Sequence, residues 1–168
     1  MTRRYNPGVQ LPSIDAARFR EVLGHFASGV TVVTATDETP VGFTCQAFAA
    51  LSLDPPMVLL APAKSSTSWP RIARAGAFCV NMLASDQEAL ARSFSVSGGD
   101  KFTGVAWQAA PVTGAPMLDG VVAFAECELE QIHDSGDHEI VTGRVVSLGV
   151  GEGLPLIFYR GGFGTFSA

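Results

Sequence analysis

Residues 121–132 constrain the fold more than any other stretch of this chain. Val121, Ala123, Ala125, Cys127 and Leu129 fall on one face, while Glu126, Glu128 and Glu130 fall on the other. Alternation with a period of two reads as a long strand, half buried and half wet. His133-Asp134-Ser135-Gly136-Asp137-His138 follows as a polar hairpin loop, and residues 140–148 form the return strand. A long antiparallel hairpin in the second half therefore anchors the reading of everything before it.

Further strands are expected at residues 30–35, a β-branched run, at 41–48, 51–53, 57–61, 77–83 and 156–159. Helices are fewer. One should start at Ser13 or Asp15, carry Ile14, Phe19, Val22, Leu23 and Phe26 at helical spacing, and end at Gly29. A second should open in residues 64–70 and stop at Gly76. A third spans 85–94, capped by Ser85 with Glu88 three residues on. Residues 95–120, rich in glycine and proline, read as loop, and no internal repeat is visible. With 18 glycines and 10 prolines in 168 residues, turns are frequent and strands short. Strands without regularly alternating helices predict a mainly β fold, a β-barrel with a few α-helices packed outside, rather than a doubly wound sheet. Residues 1–14 read as an N-terminal arm and 15–168 as one domain.

Composition removes several function classes. With 47% hydrophobic and 16% charged residues the chain is not disordered, and its size allows a core without disulfides or a structural metal. A net charge of −5 argues against a nucleic-acid backbone as partner. No apolar run approaches the roughly 20 residues of a membrane span, and the two arginines near the start precede no signal-peptide core. Cys45, Cys79 and Cys127 are odd in number and widely spaced, which fits reduced, buried thiols of a cytoplasmic protein.

The familiar chemical motifs are missing. Gly149-Val150-Gly151-Glu152-Gly153 leads into a strand and offers no helix terminus to a pyrophosphate, and Gly98-Gly99-Asp100-Lys101 lacks P-loop spacing. The cysteines show no zinc spacing, no Gly-x-Ser-x-Gly elbow exists, and His133 and His138 sit in a loop that needs polar residues for turning alone. His25 lies in the first helix as a packing or surface residue. What remains is Lys64-Ser65-Ser66-Thr67, three hydroxyls and an ammonium between a buried strand and a helix. Ordinary N-capping explains these residues, and so does a cradle for a phosphate monoester. Gly42-Phe43-Thr44-Cys45-Gln46-Ala47-Phe48 sets small polar residues among aromatics; it suits core, or a wall offering amides to a flat heterocycle.

Taken in order, these segments resemble the flavin reductase family, the short-chain reductases that serve two-component flavin monooxygenases. The resemblance rests on Phe26-Ala27-Ser28-Gly29-Val30-Thr31-Val32-Val33-Thr34, the 42–48 segment, Leu51-Ser52-Leu53-Asp54-Pro55-Pro56, and Lys64-Ser65-Ser66-Thr67-Ser68-Trp69. It continues through Phe78-Cys79-Val80-Asn81, Asp100-Lys101-Phe102-Thr103-Gly104-Val105, Gly136-Asp137-His138 and Leu156-Ile157-Phe158-Tyr159-Arg160-Gly161-Gly162.

The resemblance implies an FMN-binding split β-barrel, usually a homodimer. It places the isoalloxazine of FMN or FAD against Gly29, Val30 and Thr31 and against Thr44, Cys45, Gln46 and Ala47, near Ser28. The phosphate falls to Lys64, Ser65, Ser66 and Thr67, with Lys101 and Phe102 adding a contact. His138 resembles the residue that places the nicotinamide of NADH, with Tyr159 and Arg160 at the same mouth. Ala47 departs from the serine of many relatives. Hydride transfer between stacked rings needs no protein nucleophile and no metal, in keeping with the missing motifs. The implied activity is NAD(P)H-dependent flavin reduction, with reduced flavin passed to a partner monooxygenase. The alternatives are a non-catalytic flavin-binding sensor or carrier, and a pyridoxamine-phosphate oxidase-like FMN enzyme.

Overall fold

A computed structural model describes residues 13–166. Apart from Ser13 and Ile14, the expected arm lies outside these residues. The first helix, α1 (Ala16–Leu23), is capped by Asp15, whose carboxylate accepts from the amides of Ala17 at 2.8 Å and Arg18 at 3.0 Å. It ends at Gly24 rather than the expected Gly29, because Gly29 is already committed to a sheet. In β1 (Ser28–Gly29), Ser28 pairs with Phe158 and Gly29 with Ile157 of β11 (Leu156–Tyr159).

Seven strands form one antiparallel sheet. They are β2 (Thr31–Asp37), β3 (Thr39–Cys45), β4 (Phe48–Leu53), β5 (Pro56–Leu60), β6 (Ala77–Met82), β9 (Ala123–Ser135) and β10 (His138–Val150). Their order is β3-β2-β6-β9-β10-β5-β4. Strands β3 and β4 are thus the two edges, yet only Gln46 and Ala47 separate them in sequence. Two residues span no more than about 7 Å. The sheet must therefore curl until its edges meet at that corner, which makes a barrel joined at one end and open along the rest.

The barrel interior is filled from six strands by Val33, Phe43, Val58, Leu60, Phe78, Val80, Cys127 and Val141. The second helix, α2 (Trp69–Ala75), plugs it with Trp69 and Ile72. A second core lies outside the sheet, where Val30 and Val32 meet Leu83, Ala91, Phe94, Leu118 and Leu156. Burial on both faces explains why β2 is β-branched without alternation.

Several boundaries differ from the sequence reading. The third helix, α3 (Glu88–Ser95), starts after Gln87, not at Ser85; the Gln87 side chain makes no cap bond to the helix and instead accepts from the Ala84 amide at 2.9 Å, tying down the turn before it. Residues 95–120 are not all loop, since β7 (Trp107–Ala109) and β8 (Pro116–Leu118) form a small hairpin. Asn81 holds it to the barrel: its Oδ1 accepts from the Leu118 amide at 2.8 Å and its Nδ2 donates to Thr34 Oγ1 at 3.0 Å. A last strand, β12 (Gly162–Thr165), pairs with β11. The long hairpin is longer than expected, with strands running to Ser135 and from His138 and only Gly136 and Asp137 in the turn. Gly136 takes φ 66°, which a two-residue hairpin turn demands of its first position.

One side chain on that hairpin overturns the simple alternation. Glu126, expected on the wet face, is 0% exposed. Its Oε2 accepts from the amides of Val112 at 3.0 Å and Thr113 at 2.7 Å and from the Thr113 hydroxyl at 2.9 Å. The loop ahead of β8 folds over this part of the strand and supplies donors to that one carboxylate oxygen, while Oε1 is buried without a hydrogen-bond partner among the described residues.

Candidate functional site

The corner that closes the barrel also opens a cavity. Its volume is about 670 Å3, within the roughly 300–1,000 Å3 of small-molecule sites. One wall is the end of β3 with Thr44, Cys45, Gln46 and Ala47; another is the turn carrying Ser65, Ser66 and Thr67; Lys101 and His138 complete it. Nine of the predicted site residues therefore surround one space, although they come from four separate parts of the chain.

The hydroxyl wall lies in the turn just ahead of α2, which begins at Trp69. Ser66 Oγ accepts from the Trp69 amide at 3.1 Å and Thr67 Oγ1 from the Gly98 amide at 3.2 Å, so each oxygen is fixed while its O–H proton stays available. Ser66 thus satisfies the first amide of α2, whose N-cap residue is Ser68, and it also lines the cavity. Lys101 approaches the same wall and donates to Gly42 O at 3.2 Å, Ser68 Oγ at 3.3 Å and Phe94 O at 3.1 Å. Burial depresses its pKa below the usual 10.5. Among the described residues it has no carboxylate partner, so its charge is uncompensated.

Lys64 behaves otherwise. Its ammonium does not line the cavity; it donates to the Asp134 carboxylate and, at 2.7 Å, to Gly136 O. The Lys64 amide donates to Asp137 O at 3.0 Å and the Glu139 amide to Pro62 O at 3.0 Å, so residues 62–64 are zipped along the hairpin tip. That zipper presents His138 to the cavity. His138 Nδ1 lies 2.7 Å from Asp137 Oδ1, and hydrogen bonding to the imidazole holds the Asp137 carboxyl below its ordinary range.

The remaining predicted residues lie around the rim or beyond it. Gly29, Val30 and Thr31 line a smaller hollow of about 230 Å3 that reaches Gln46 from the other side. Thr31 is tied to the corner, its hydroxyl donating to Cys45 O at 2.7 Å. Ser28 and Arg160 border a groove beside α1, Tyr159 stacks edge-on to His25, and Phe102 faces a neighbouring cavity.

The sequence reading missed Arg92, Phe158 and Phe163, which line the main cavity. Arg92 lies 4.8 Å over the Phe163 ring, joining α3 to β12 across the mouth. The capping pattern in residues 85–94 marked a helix there and gave no reason to aim Arg92 at a site. Burial pushes the Cys45 thiol up to about 11 and those of Cys79 and Cys127 to about 12, so none is a thiolate near neutral pH. The cavity offers hydroxyls, one ammonium, one guanidinium, one imidazole and flat apolar surface. Such a set binds and orients an anionic, planar molecule without attacking it.

Solved structures with this architecture define the class. NADH:FAD oxidoreductase SgcE6 of Streptomyces globisporus superposes with a TM-score of 0.86 at 33% identity, over 97% of this chain and 100% of that one. The chain belongs to the flavin reductase family, matching its flavin reductase like domain over residues 23–167. Among curated relatives, the reductase subunit HsaB of a flavin-dependent monooxygenase from Rhodococcus jostii is 50% identical over 91% of this chain and 79% of its own. FMN reductase (NADH) SmoA of Agrobacterium fabrum is 42% identical over 96% of this chain and 93% of its own.

Proposed function

We propose that this protein is an NAD(P)H:flavin oxidoreductase that prefers NADH, reduces FMN or FAD, and supplies the reduced flavin to a flavin-dependent monooxygenase. The observation that carries the reading is one cavity lined together by the Ser65–Thr67 hydroxyls, Lys101, the hairpin residue His138 and the aromatic residues Phe158 and Phe163. The names of HsaB and SmoA point the same way.

The residues present fit a flavin phosphate. Ser65, Ser66 and Thr67 offer hydroxyl donors, and Lys101 supplies a partly desolvated charge, whose attraction to an anion exceeds that of an exposed lysine. Phe158 and Phe163 with the Gln46–Ala47 corner confine a planar ring. Bound there, the flavin supplies the chemistry by accepting a hydride from the dihydronicotinamide. The chain's own part is positional: it anchors the phosphate, keeps one ring face open, and holds His138 where the carboxamide end of a nicotinamide can reach it. Asp137 fixes the imidazole orientation. With Ala47 at the corner, polar contacts to the ring fall to backbone groups and Gln46.

Three further features support the rest of the reading. Leu53 and Val150 are 95% and 92% exposed on β4 and β10, with Leu51, Leu148 and Ile132 also uncovered. Such apolar side chains on a well-formed sheet suit a second copy of the chain and support the homodimer reading. No described helix is long and apolar enough to cross a membrane, and three buried thiols without a disulfide fit the cytoplasm. Residues 15–168 act as one domain. The decisive measurement is anaerobic stopped-flow mixing of NADH with purified protein and FMN, FAD or riboflavin. Flavin bleaching well above the protein-free rate is expected; tight flavin binding without bleaching would leave only a carrier.

A further inference from the structure

The hairpin of β11 and β12 lines one side of the main cavity with Phe158, Gly161 and Phe163. Few bonds hold it there. Strand β12 pairs with β11 alone, and β11 meets β1 through only two residue pairs. The turn between β11 and β12 has two residues, Arg160 at φ 50° and Gly161 at φ 81°. Along β12, Gly162 and Gly164 flank Phe163, and a side chain at Gly164 would meet only open space. Phe163 is therefore the one large side chain of β12 that can fasten this edge strand. It stands edge-on to Phe158 of its own hairpin, with centroids 5.2 Å apart. Beyond the hairpin it packs against the outer core and meets Arg92 of α3.

A guanidinium on a cavity wall suggests a phosphate ligand, but two nitrogens of Arg92 are already engaged. Its Nε and a terminal nitrogen both bind Glu88 Oε1, one turn back on α3, at 2.8 and 2.7 Å. That carboxylate offsets the charge and fixes the side chain, whose central carbon stands 4.8 Å from the centre of the Phe163 ring. Arg92 thus reaches across the mouth to a ring and not to an open anion site. Phe158 and Gly161 of the same hairpin line both the main cavity and the groove beside α1. Freeing the hairpin from α3 would join these two spaces and widen the mouth. We propose that Arg92 is a positioning residue: it latches the β11–β12 hairpin to α3 through Phe163 and so sets how fast flavin enters and leaves the cavity. The inference rests on the flavin reductase reading and adds control of flavin exchange to it.

The test uses flavin without NADH. FMN and riboflavin are each mixed with the protein in stopped flow, and association and displacement rates are read from flavin fluorescence. Arg92→Gln should raise both rates about two- to fivefold for both flavins, the size of one lost exposed cation–π contact, and leave each Kd within about twofold. Arg92→Lys keeps a cation and should bring the rates part of the way back. In a Phe163→Leu background, Arg92→Gln should change the rates by much less than it does in the wild-type protein. The Arg92 side chain is 63% exposed, so its replacement leaves the core intact. Rates unchanged in Arg92→Gln overturn the latch. Weaker FMN binding with riboflavin spared also overturns it, because Arg92 would then be a phosphate ligand. Since the rates are read without turnover, a protein that shows them yet oxidises no NADH keeps the latch and removes the reductase reading instead.

Discussion

The Lys64 ammonium clasps the Asp134 carboxylate and the Gly136 carbonyl, so the lysine in front of the hydroxyl turn holds the hairpin tip and not the cavity. The bond joins the two halves of the site. The turn that presents Ser65 and Ser66 and the hairpin that presents His138 meet at this one side chain.

Its removal should therefore disturb the nicotinamide side. Both partners are partly or largely exposed, so the ion pair itself contributes less than about 1 kcal/mol to stability. Lys64→Ala should leave the FMN-to-riboflavin affinity ratio unchanged and raise the KM for NADH about threefold. Ser65→Ala with Ser66→Ala should do the opposite, weakening FMN by roughly tenfold or more while sparing riboflavin, since bonds to a charged phosphate are worth about 1.5–3 kcal/mol each. Equal losses for FMN and riboflavin in the serine variant would remove the phosphate assignment.

His138→Ala should raise the KM for NADH or slow flavin reduction while flavin binding stays nearly intact. If Lys64 acts through this imidazole, adding Lys64→Ala to His138→Ala should change the NADH kinetics by much less than it does alone. Steady-state kinetics on the four proteins of that cycle check the coupling; full additivity would show the two residues to be independent.

Lys101 gives a pH signature. Burial lowers its pKa from 10.5, so its charge is lost at a lower pH than that of an exposed lysine. FMN affinity should fall as pH rises through that depressed value, and the fall should disappear in Lys101→Met, whose FMN affinity is weaker throughout. For the ligand-free protein the sign is reversed. The unfolded chain holds this proton more tightly, so the unfavourable contribution of Lys101 to stability is full below the depressed pKa and fades as pH climbs toward 10.5. Isothermal titration across neutral to alkaline pH, paired with thermal melts, checks both signs.

Local pattern revealed most of the strands, because period-two burial and β-branched runs are written into neighbouring residues. The β11 boundaries at Leu156 and Tyr159 and the Asp15 cap were legible for that reason. What escaped depends on distant partners. Gly29 looked like a helix stop because nothing nearby announces its pairing with Ile157. Lys64 looked like a phosphate ligand because the hairpin that captures it lies 70 residues away. Trp107 and Arg92 carried no motif, and only the fold brings them to cavity walls. The Gln46–Ala47 corner was marked as a cofactor wall by resemblance; that it is also the seam of the barrel follows from strand order alone.

Glu126 offers the last test, since its burial contradicts its place in the alternating pattern. Burial alone would raise its pKa, but the Thr113 amide and hydroxyl and the Val112 amide outweigh it and hold the carboxyl below 4.5. A carboxyl whose folded pKa is depressed contributes stability above its unfolded value, and that contribution is lost as pH falls through the folded one. Glu126→Gln keeps the shape but replaces an anionic acceptor by a neutral one and puts its amide NH2 where Oε1 is buried without a hydrogen-bond partner among the described residues. It should cost about 1–3 kcal/mol near neutral pH, lowering Tm by about 2–4 °C for each kcal/mol in a chain of this size. The variant's penalty should shrink as pH drops below 4.5, where the wild-type carboxylate begins to take up its proton. Melting curves of both proteins between neutral and acid pH check this. A penalty that stays constant across that range would show that the Thr113 donors do not depend on charge at Glu126.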